Sequence, residues 1–572
     1  MVIRKLRFSL LMFAACRLSS FGMAPDDVLA QEAGAPKAPF VDVTERSGIL
    51  WKHETGAFGQ RWLPETLGPG VIVLDANGDG MSDLLFVNGR NFPDRPGPAA
   101  TPSLYLNRGS LRFEDATHQA GLDFSAFCLG GAAADYDNDG RPDIYLSCLG
   151  QDFLLHNDGG RFSDVSRKAG LSQACELGAS AAFFDADRDG HVDIFVTRYV
   201  DWTPETDKFC SADGKTKSYC VPIVYKSVSN HYYRNLGDGR FEEQTSKAGL
   251  ANPSKGLGVV PFDVDADGWP DLAVASDTQP NLLFHNKGNG TFEEVGLSAG
   301  LAFSVDGQVR GGMGIDAGDY NRTGRPSVVI TYYTTEMTGL YRNEGNMFLL
   351  DIAPGAEIGR RTRPYVGWGC FFFDYDLDGW LDLLVANGHL DDSRSKLYPP
   401  EPHAQPTLLF RNQGNGEFVE VGAGSDLAVP IVARGAAFAD LDGDGDLDLV
   451  LAANGGSPKV LENRGPHGNW LRLALQGKAS NRDGLGALIK ITAKGGTQTW
   501  YVHSGGSYLS QSQVEPTFGL GDVQTVDEIV IQWPSGTTQR LTHVAANQRL
   551  KVVEPDAKPV APSSSPGRRE AF

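Results

Sequence analysis

Basic residues are scarce in this sequence: 51 lysines and arginines face 71 aspartates and glutamates, a formal charge of −20 over 572 residues. Non-specific binding to nucleic acid or anionic membranes needs a basic surface, so the charge argues against both. Long apolar runs are lacking too. Beyond the N-terminus no segment approaches the roughly 18 uninterrupted apolar residues of a membrane span. No C-x-x-C pair suggests zinc or thiol redox chemistry. A Ser-His-Asp set, an H-E-x-x-H helix, a P-loop and a dinucleotide fingerprint are all missing. No catalytic set can therefore be named from the residues.

Glycine and proline are plentiful instead, at 69 and 32 residues, which indicates many turns and short strands. The chain is 41% hydrophobic and 10% aromatic, enough for a large core. Its length calls for several domains or a repeat array. The N-terminus, basic "MVIRKLR" followed by apolar "FSLLMFAA", reads as an export signal over residues 1–30. Two processing outcomes are open. "FAAC" at 13–16 resembles a lipobox that would place a lipid on Cys16, whereas ordinary cleavage could follow "VLA" at residue 30. Export permits disulfides. Cys210 and Cys220, flanking the polar "SADGKTKSY", are the expected pair; Cys128, Cys148, Cys175 and Cys370 are left unassigned.

Internal repetition is the strongest signal. An acidic nonapeptide begins at Asp75, Asp135, Asp185, Asp263, Asp319, Asp374 and Asp440, with glycine always sixth and a short β-type run following, such as "IYLS" or "LVLAANG". A second unit comes after each, as in "YYRNLGDGRF" or "LLFRNQGNGEF": strand, Asn/Gly turn, strand, the pattern of a hairpin. Four antiparallel strands per repeat describe a propeller blade, and seven copies predict a seven-bladed, all-β propeller over residues 40–467. The last strand of each unit resembles "FVDVTERSGI" at 40–49 and is missing after the seventh hairpin. Residues 40–44 are therefore expected to supply the outer strand of blade seven, leaving no open sheet edge. From residue 468 to 554 the alternating runs "ALIKITA" and "EIVIQWP" predict a separate β-rich domain, and the Pro/Ser-rich tail 555–572 is expected to be disordered.

D-x-[DN]-x-[DN]-G-x-x-D suits calcium. Side chains at positions 1, 3 and 5 converge on one cation, glycine at 6 allows the reversal, and a carbonyl at 7 and a carboxylate at 9 complete an oxygen cage. The candidate ligands are Asp75, Asn77, Asp79, Met81 and Asp83 in the first loop, and Asp135, Asp137, Asp139, Arg141 and Asp143 in the second. The third offers Asp185, Asp187, Asp189, His191 and Asp193, the fourth Asp263, Asp265, Asp267, Trp269 and Asp271. The sixth offers Asp374, Asp376, Asp378, Trp380 and Asp382, the seventh Asp440, Asp442, Asp444, Asp446 and Asp448. An EF-hand would need glutamate at position 12, where these loops are apolar. The fifth copy has Thr323 and Ser327 at positions 5 and 9, so about six Ca²⁺ sites are expected, with the loop at Asp319 empty or weak.

The acidic loops with their "NxGxGxF" hairpins resemble FG-GAP/VCBS repeats, as in the integrin α-subunit propeller. The later "NRDGLGALIKI", "GGSYLSQS", "FGLG" and "WPSG" resemble the ASPIC/UnbV domain. The combination resembles bacterial homologues of the cartilage acidic protein family. That resemblance implies a secreted calcium-binding propeller with an adhesion or interaction role and carries over no catalytic residue.

The calcium loops join strands one and two, so the opposite face carries the strand two-to-three connections and the segments leading into new blades. The long insertions fall there: residues 198–230, residues 388–406 and the segment 51–70. His53, Glu54, Trp62, Glu65, His389 and Tyr398 are candidate ligand-face residues over the central channel. The expected function is an exported binding or adhesion module for an extracellular or periplasmic protein or glycan. The alternative is a propeller-type enzyme or accessory protein acting on a polysaccharide or secondary metabolite.

Overall fold

The computed structural model describes residues 39–90, 100–171, 176–211, 213–392, 401–465 and 468–556; Cys16, Cys175, Tyr398 and the tail from 557 lie outside them. Among the described residues, seven four-stranded antiparallel sheets follow one another along the chain, six of them built of four consecutive strands and the seventh of three plus the first strand of the chain; one has a short extra strand. Their first strands are Val71–Leu74, Cys128–Ala134, Gly178–Phe184, Gly256–Phe262, Ile315–Gly318, Gly367–Phe373 and Ala433–Ala439. Each packs against the next, and the last packs against the first. Sequences such as CLGGAAA and ARGAAFA are rich in small residues because strands converging on one axis leave little room for side chains. The second strands, such as Asp143–Cys148 and Asp193–Arg198, are buried on both faces and supply the large apolar side chains between sheets.

The ring is closed by the chain's own start. Phe40–Asp42 pairs antiparallel with Lys459–Asn463, with Phe40 opposite Asn463 and Asp42 opposite Leu461, as the outer strand of the seventh sheet. A second closure lies in the hairpin asparagines. Asn107, Asn157, Asn235, Asn286, Asn343, Asn412 and Asn463 each donate to the backbone carbonyl of loop position 2 in the preceding sheet at 2.8–3.0 Å. For the first sheet that partner is Leu441, in the seventh.

The C-terminal strands form two sheets of their own: Asn469–Gln476 between Thr517–Gly521 and Gln548–Val553, and a four-stranded sheet from Gly496–Tyr501 through Leu488–Ala493 and Thr525–Gln532 to Thr538–Ala545. These strands do not make a separate body. Leu471, Ile489, Ile529 and Trp533 share one apolar cluster with Tyr145, Phe183 and Tyr233 of the ring. Between the two sheets, residues 503–513 run into the axis of the ring. Ser510 Oγ accepts from Val71 N–H, and Gln511 both accepts from and donates to Ala133. Leu509 N–H donates to Ser180 Oγ, and Ser504 Oγ holds Phe183 N–H. Gly506 bonds Val259 and Ser507 accepts from Ile315 N–H while its hydroxyl donates to Ala436. Tyr508 packs edge-on against Trp368. Approach is so close that a Cβ on Gly70 would lie 1.8 Å from the Leu509 carbonyl oxygen. The residues Ser507, Tyr508, Ser510 and Gln511 are thus consumed in filling the channel.

Candidate functional site

The acidic loops are built to one plan. The position 1 carboxylate accepts backbone N–H groups of the turn it starts: Asp135 takes Asp139 and Gly140, and Asp75 takes Gly78, Asp79 and Gly80. The position 5 carboxylate takes the N–H of position 7, at Met81, Arg141, His191, Trp269, Trp380 and Asp446. The position 9 carboxylate ties the loop to the third strand: Asp143 accepts from Tyr136 and Asn157, and Asp448 from Leu441 and Asn463. Ser327 keeps only the strand half of this link, through Asn343 N–H.

Carboxylates converge as calcium would require. Donor atoms of Asp135, Asp137 and Asp143, of Asp185, Asp187 and Asp189, and of Asp263, Asp265 and Asp267 lie within 4.8 Å of one another in each set. Burial drives their protonation: Asp83, Asp135, Asp185 and Asp263 are pushed up to about 7 and Asp143 to about 9. Basic side chains from the third strand grip the outside of two clusters. Arg234 holds the Oδ2 atoms of Asp187 and Asp189, and Arg411 those of Asp376 and Asp378. The Oδ1 atoms of Asp187 and Asp376 are left buried without a hydrogen-bond partner among the described residues, as is Oδ1 of Asp263. Buried anionic oxygens without a donor are costly unless a cation meets them, so these residues fit a calcium ion. In the seventh loop Arg472 of the C-terminal strands takes Asp440 Oδ2 at 2.6 Å and the Gly445 carbonyl.

The opposite face carries a cavity of about 210 Å³, walled by segments that precede the first strands or follow the second strands and closed by Trp368 toward the axis. Tyr199, Tyr219 and Tyr333 face it, with Asp277, Glu336 and His389. The blade-three insertion, pinned by the expected Cys210–Cys220 disulfide, supplies Tyr219 and Cys220; a second disulfide joins Cys128 and Cys148 across neighbouring strands. Tyr219 is buttressed by Glu65, whose Oε2 accepts its hydroxyl at 2.9 Å; burial raises the Glu65 carboxyl above its usual range.

The structure does not bring all the expected face residues into this cavity. His389 lines it, its ring 3.3 Å from the Tyr333 hydroxyl. Glu65 stands behind its wall. Trp62 packs edge-on against the buried Trp202, and Glu54 accepts the N–H of Gly56 to shape its own loop. His53 is sealed in the interior, its Nδ1 accepting from Gly455 N–H. Burial, then the Arg434 charge, push its imidazole down to about 3. Sequence reasoning missed Asp277 and Glu336, which sit at strand and turn ends with no motif around them.

Residues 75–146, 212–274, 263–330 and 374–451 match the FG-GAP-like repeat family, and residues 477–559 match the ASPIC and UnbV family. Cartilage acidic protein 1 of Homo sapiens is 23% identical over 516 residues, covering 86% of this chain and 72% of that protein. The Mus musculus protein is 23% identical over 534 residues, covering 88% and 76%. An Agrocybe aegerita protein solved in a study of recognition of non-reducing terminal N-acetylglucosamine covers 68% of this chain and 87% of its own, at 17% identity and a TM-score of 0.36, too low to carry an argument. The loops, the asparagine hairpins and the channel-filling C-terminal strands therefore belong to an FG-GAP-repeat propeller protein with a C-terminal ASPIC/UnbV domain, related to cartilage acidic protein 1.

Proposed function

We propose that this chain is an exported binding module whose calcium loops stiffen the propeller while the opposite face recognises an extracellular or periplasmic protein or glycan. The observation that carries the reading is the aromatic and acidic cavity on the insertion-bearing face, set on a frame whose channel is already filled. Concave, mostly apolar sites with a few converging polar groups are the usual form of a ligand site. Two disulfides support export, and no helix among the described residues is long and apolar enough to cross a membrane. About six calcium ions are expected, one for each loop with carboxylates at positions 1, 5 and 9.

Calcium titration into chelated protein tests this reading, following melting temperature, stoichiometry and binding to a panel of glycans and surface proteins. About six ions with a large rise in melting temperature, and a partner bound on the insertion-bearing face, are expected. No calcium uptake would overturn the role given to the loops, and a partner that ignores changes around the cavity would overturn the role given to the face.

A further inference from the structure

We propose that the cavity binds a small organic ammonium ion, its nitrogen held between Asp277 and Glu336. The proposal rests on the insertion-bearing face being the binding face and names the chemistry it selects. Asp277 Oδ1 and Glu336 Oε2 converge across Gly311: a Cβ on that glycine would lie 3.1 Å from the first and 3.5 Å from the second. The missing side chain leaves the space between the carboxylates open.

Both carboxylates are fixed in place with accepting capacity to spare. Asp277 Oδ2 accepts the Tyr199 hydroxyl at 2.6 Å, and Glu336 Oε2 accepts Gly311 N–H at 2.7 Å. Among the described residues, no lysine or arginine lines the cavity. The nearby cations hydrogen-bond to other groups, and only their charge reaches the pair, Lys255 at Asp277 and Arg310 at Glu336. Arg61, over the Tyr219 ring, pairs with Asp391 and Asp392. Arg310 pairs with Asp351 at 2.9 Å, Arg434 donates to the Thr66 carbonyl behind the Trp368 ring, and Lys255 donates to Thr278 Oγ1. Burial, opposed by the Tyr199 hydrogen bond and the Lys255 charge and reinforced by the Glu336 charge, pushes Asp277 up to about 6, a strain that a bound cation relieves.

The walls decide which cation. Calcium takes six to eight oxygens, more than Asp277, Glu336 and Asp391 supply, the last of them already paired with Arg61 at 3.5 Å. The rings of Tyr199 and Tyr333 instead suit the weakly hydrated alkyl or ring carbons of an organic ammonium and its charge, while those of Tyr219 and Trp368, each with an arginine over one face, add apolar wall. At about 30 Å³ per water, 210 Å³ equals the space of roughly seven waters, enough for a group of amino-sugar or short diamine size.

The test uses the calcium-saturated full chain, titrated calorimetrically with glucosamine, choline and cadaverine and with the uncharged glucose and 1,5-pentanediol. At least one ammonium probe is expected to bind about tenfold or more tightly than its neutral counterpart. The Asp277→Asn/Glu336→Gln double variant should lose that preference with an unchanged melting temperature. Equal binding of charged and neutral probes, affinity retained in the double variant, or no ammonium binding up to ~10 mM each overturns the proposal. Val221→Trp, on the exposed rim, separates this failure from a failure of the binding face. If the substitution removes a partner found in the glycan and protein panel while ammonium probes never bind, the face stands and the ammonium ligand falls. If the panel partner binds the variant unchanged, the face itself is wrong.

Discussion

At the scale of single residues, the hairpin asparagine does more than turn a corner. Asn235 accepts Gly237 N–H through Oδ1 and donates to the Val192 carbonyl of its own sheet and the Tyr136 carbonyl of the sheet before it. Asn235→Ala strands two buried carbonyls, each costing about 1–3 kcal/mol when unsatisfied, whereas the exposed Gly237 N–H can turn to water. Denaturant unfolding should show a loss of about 2 kcal/mol or more, with or without calcium. Asn235→Asp should be no better, because it keeps the acceptor but turns a carboxylate toward two carbonyls. A loss below ~1 kcal/mol would show that water replaces the missing donors. His53 gives a second residue-scale expectation. Its folded pKa, about 3, lies below the ordinary value of 6.5, so the unfolded chain takes up the proton first as pH falls. Stability from this group is complete above pH 6.5 and is lost below it by about 1.4 kcal/mol per pH unit. His53→Asn keeps an acceptor for Gly455 N–H but cannot be protonated. In saturating calcium its melting temperature should fall less than wild type between pH 6.5 and 5, and parallel curves would contradict the assignment.

At the scale of elements, the acidic loop is a turn first, with the cation site we propose built onto it, and the fifth copy keeps the turn without the full donor set. Asp319 accepts Thr323 and Gly324 N–H just as its counterparts do, so the turn persists without carboxylates at positions 5 and 9. Thr323→Asp with Ser327→Asp restores both, and Asn321 already supplies position 3. Calcium titration by calorimetry should count one more ion in the double variant than in wild type; an unchanged count would mean that this loop is held back by more than its donor set. Much of this level was legible in the sequence, because a loop of fixed spacing and the strands beside it are local. The closing strand 40–42 was legible as well, since its relatives recur in every repeat. The cavity was not. Asp277, Glu336, Tyr219 and His389 come from separate connections more than a hundred residues apart at the extremes, and nothing local marks Asp277 as facing Glu336. His53 and Glu65 were expected to line the ligand face because segment 51–70 leads into the first blade on that side, yet both are buried.

At the scale of the whole molecule, the C-terminal domain is a structural partner of the ring rather than an appendage to it. A segment reading "GGSYLSQSQ" looks like an exposed polar loop, since its glycines and hydroxyls have no partners within reach along the chain. In the fold this segment, with Ser504 just before it, satisfies backbone donors that the first strands turn toward the axis, through its carbonyls, hydroxyls and the Gln511 amide: Val71, Val73, Ala133, Phe183, Ile315 and Phe438. Buried donors need partners, and an empty channel would have to supply water in their place. Arg472 binds Asp440, and Asp483 accepts Asp135 N–H, so the same domain also rests on two of the acidic loops. Ring and domain should therefore unfold together. Scanning calorimetry of the calcium-saturated chain is expected to show one transition. Gln511→Ala, which strips both the donor and the acceptor facing Ala133, should shift the whole of it downward by the equivalent of about 2 kcal/mol. Two resolved transitions, only one of them moved by the substitution, would mean that the domain is docked on a ring already able to stand alone. A single shifted transition means that the ring is completed from its own C-terminus as well as from its N-terminal strand.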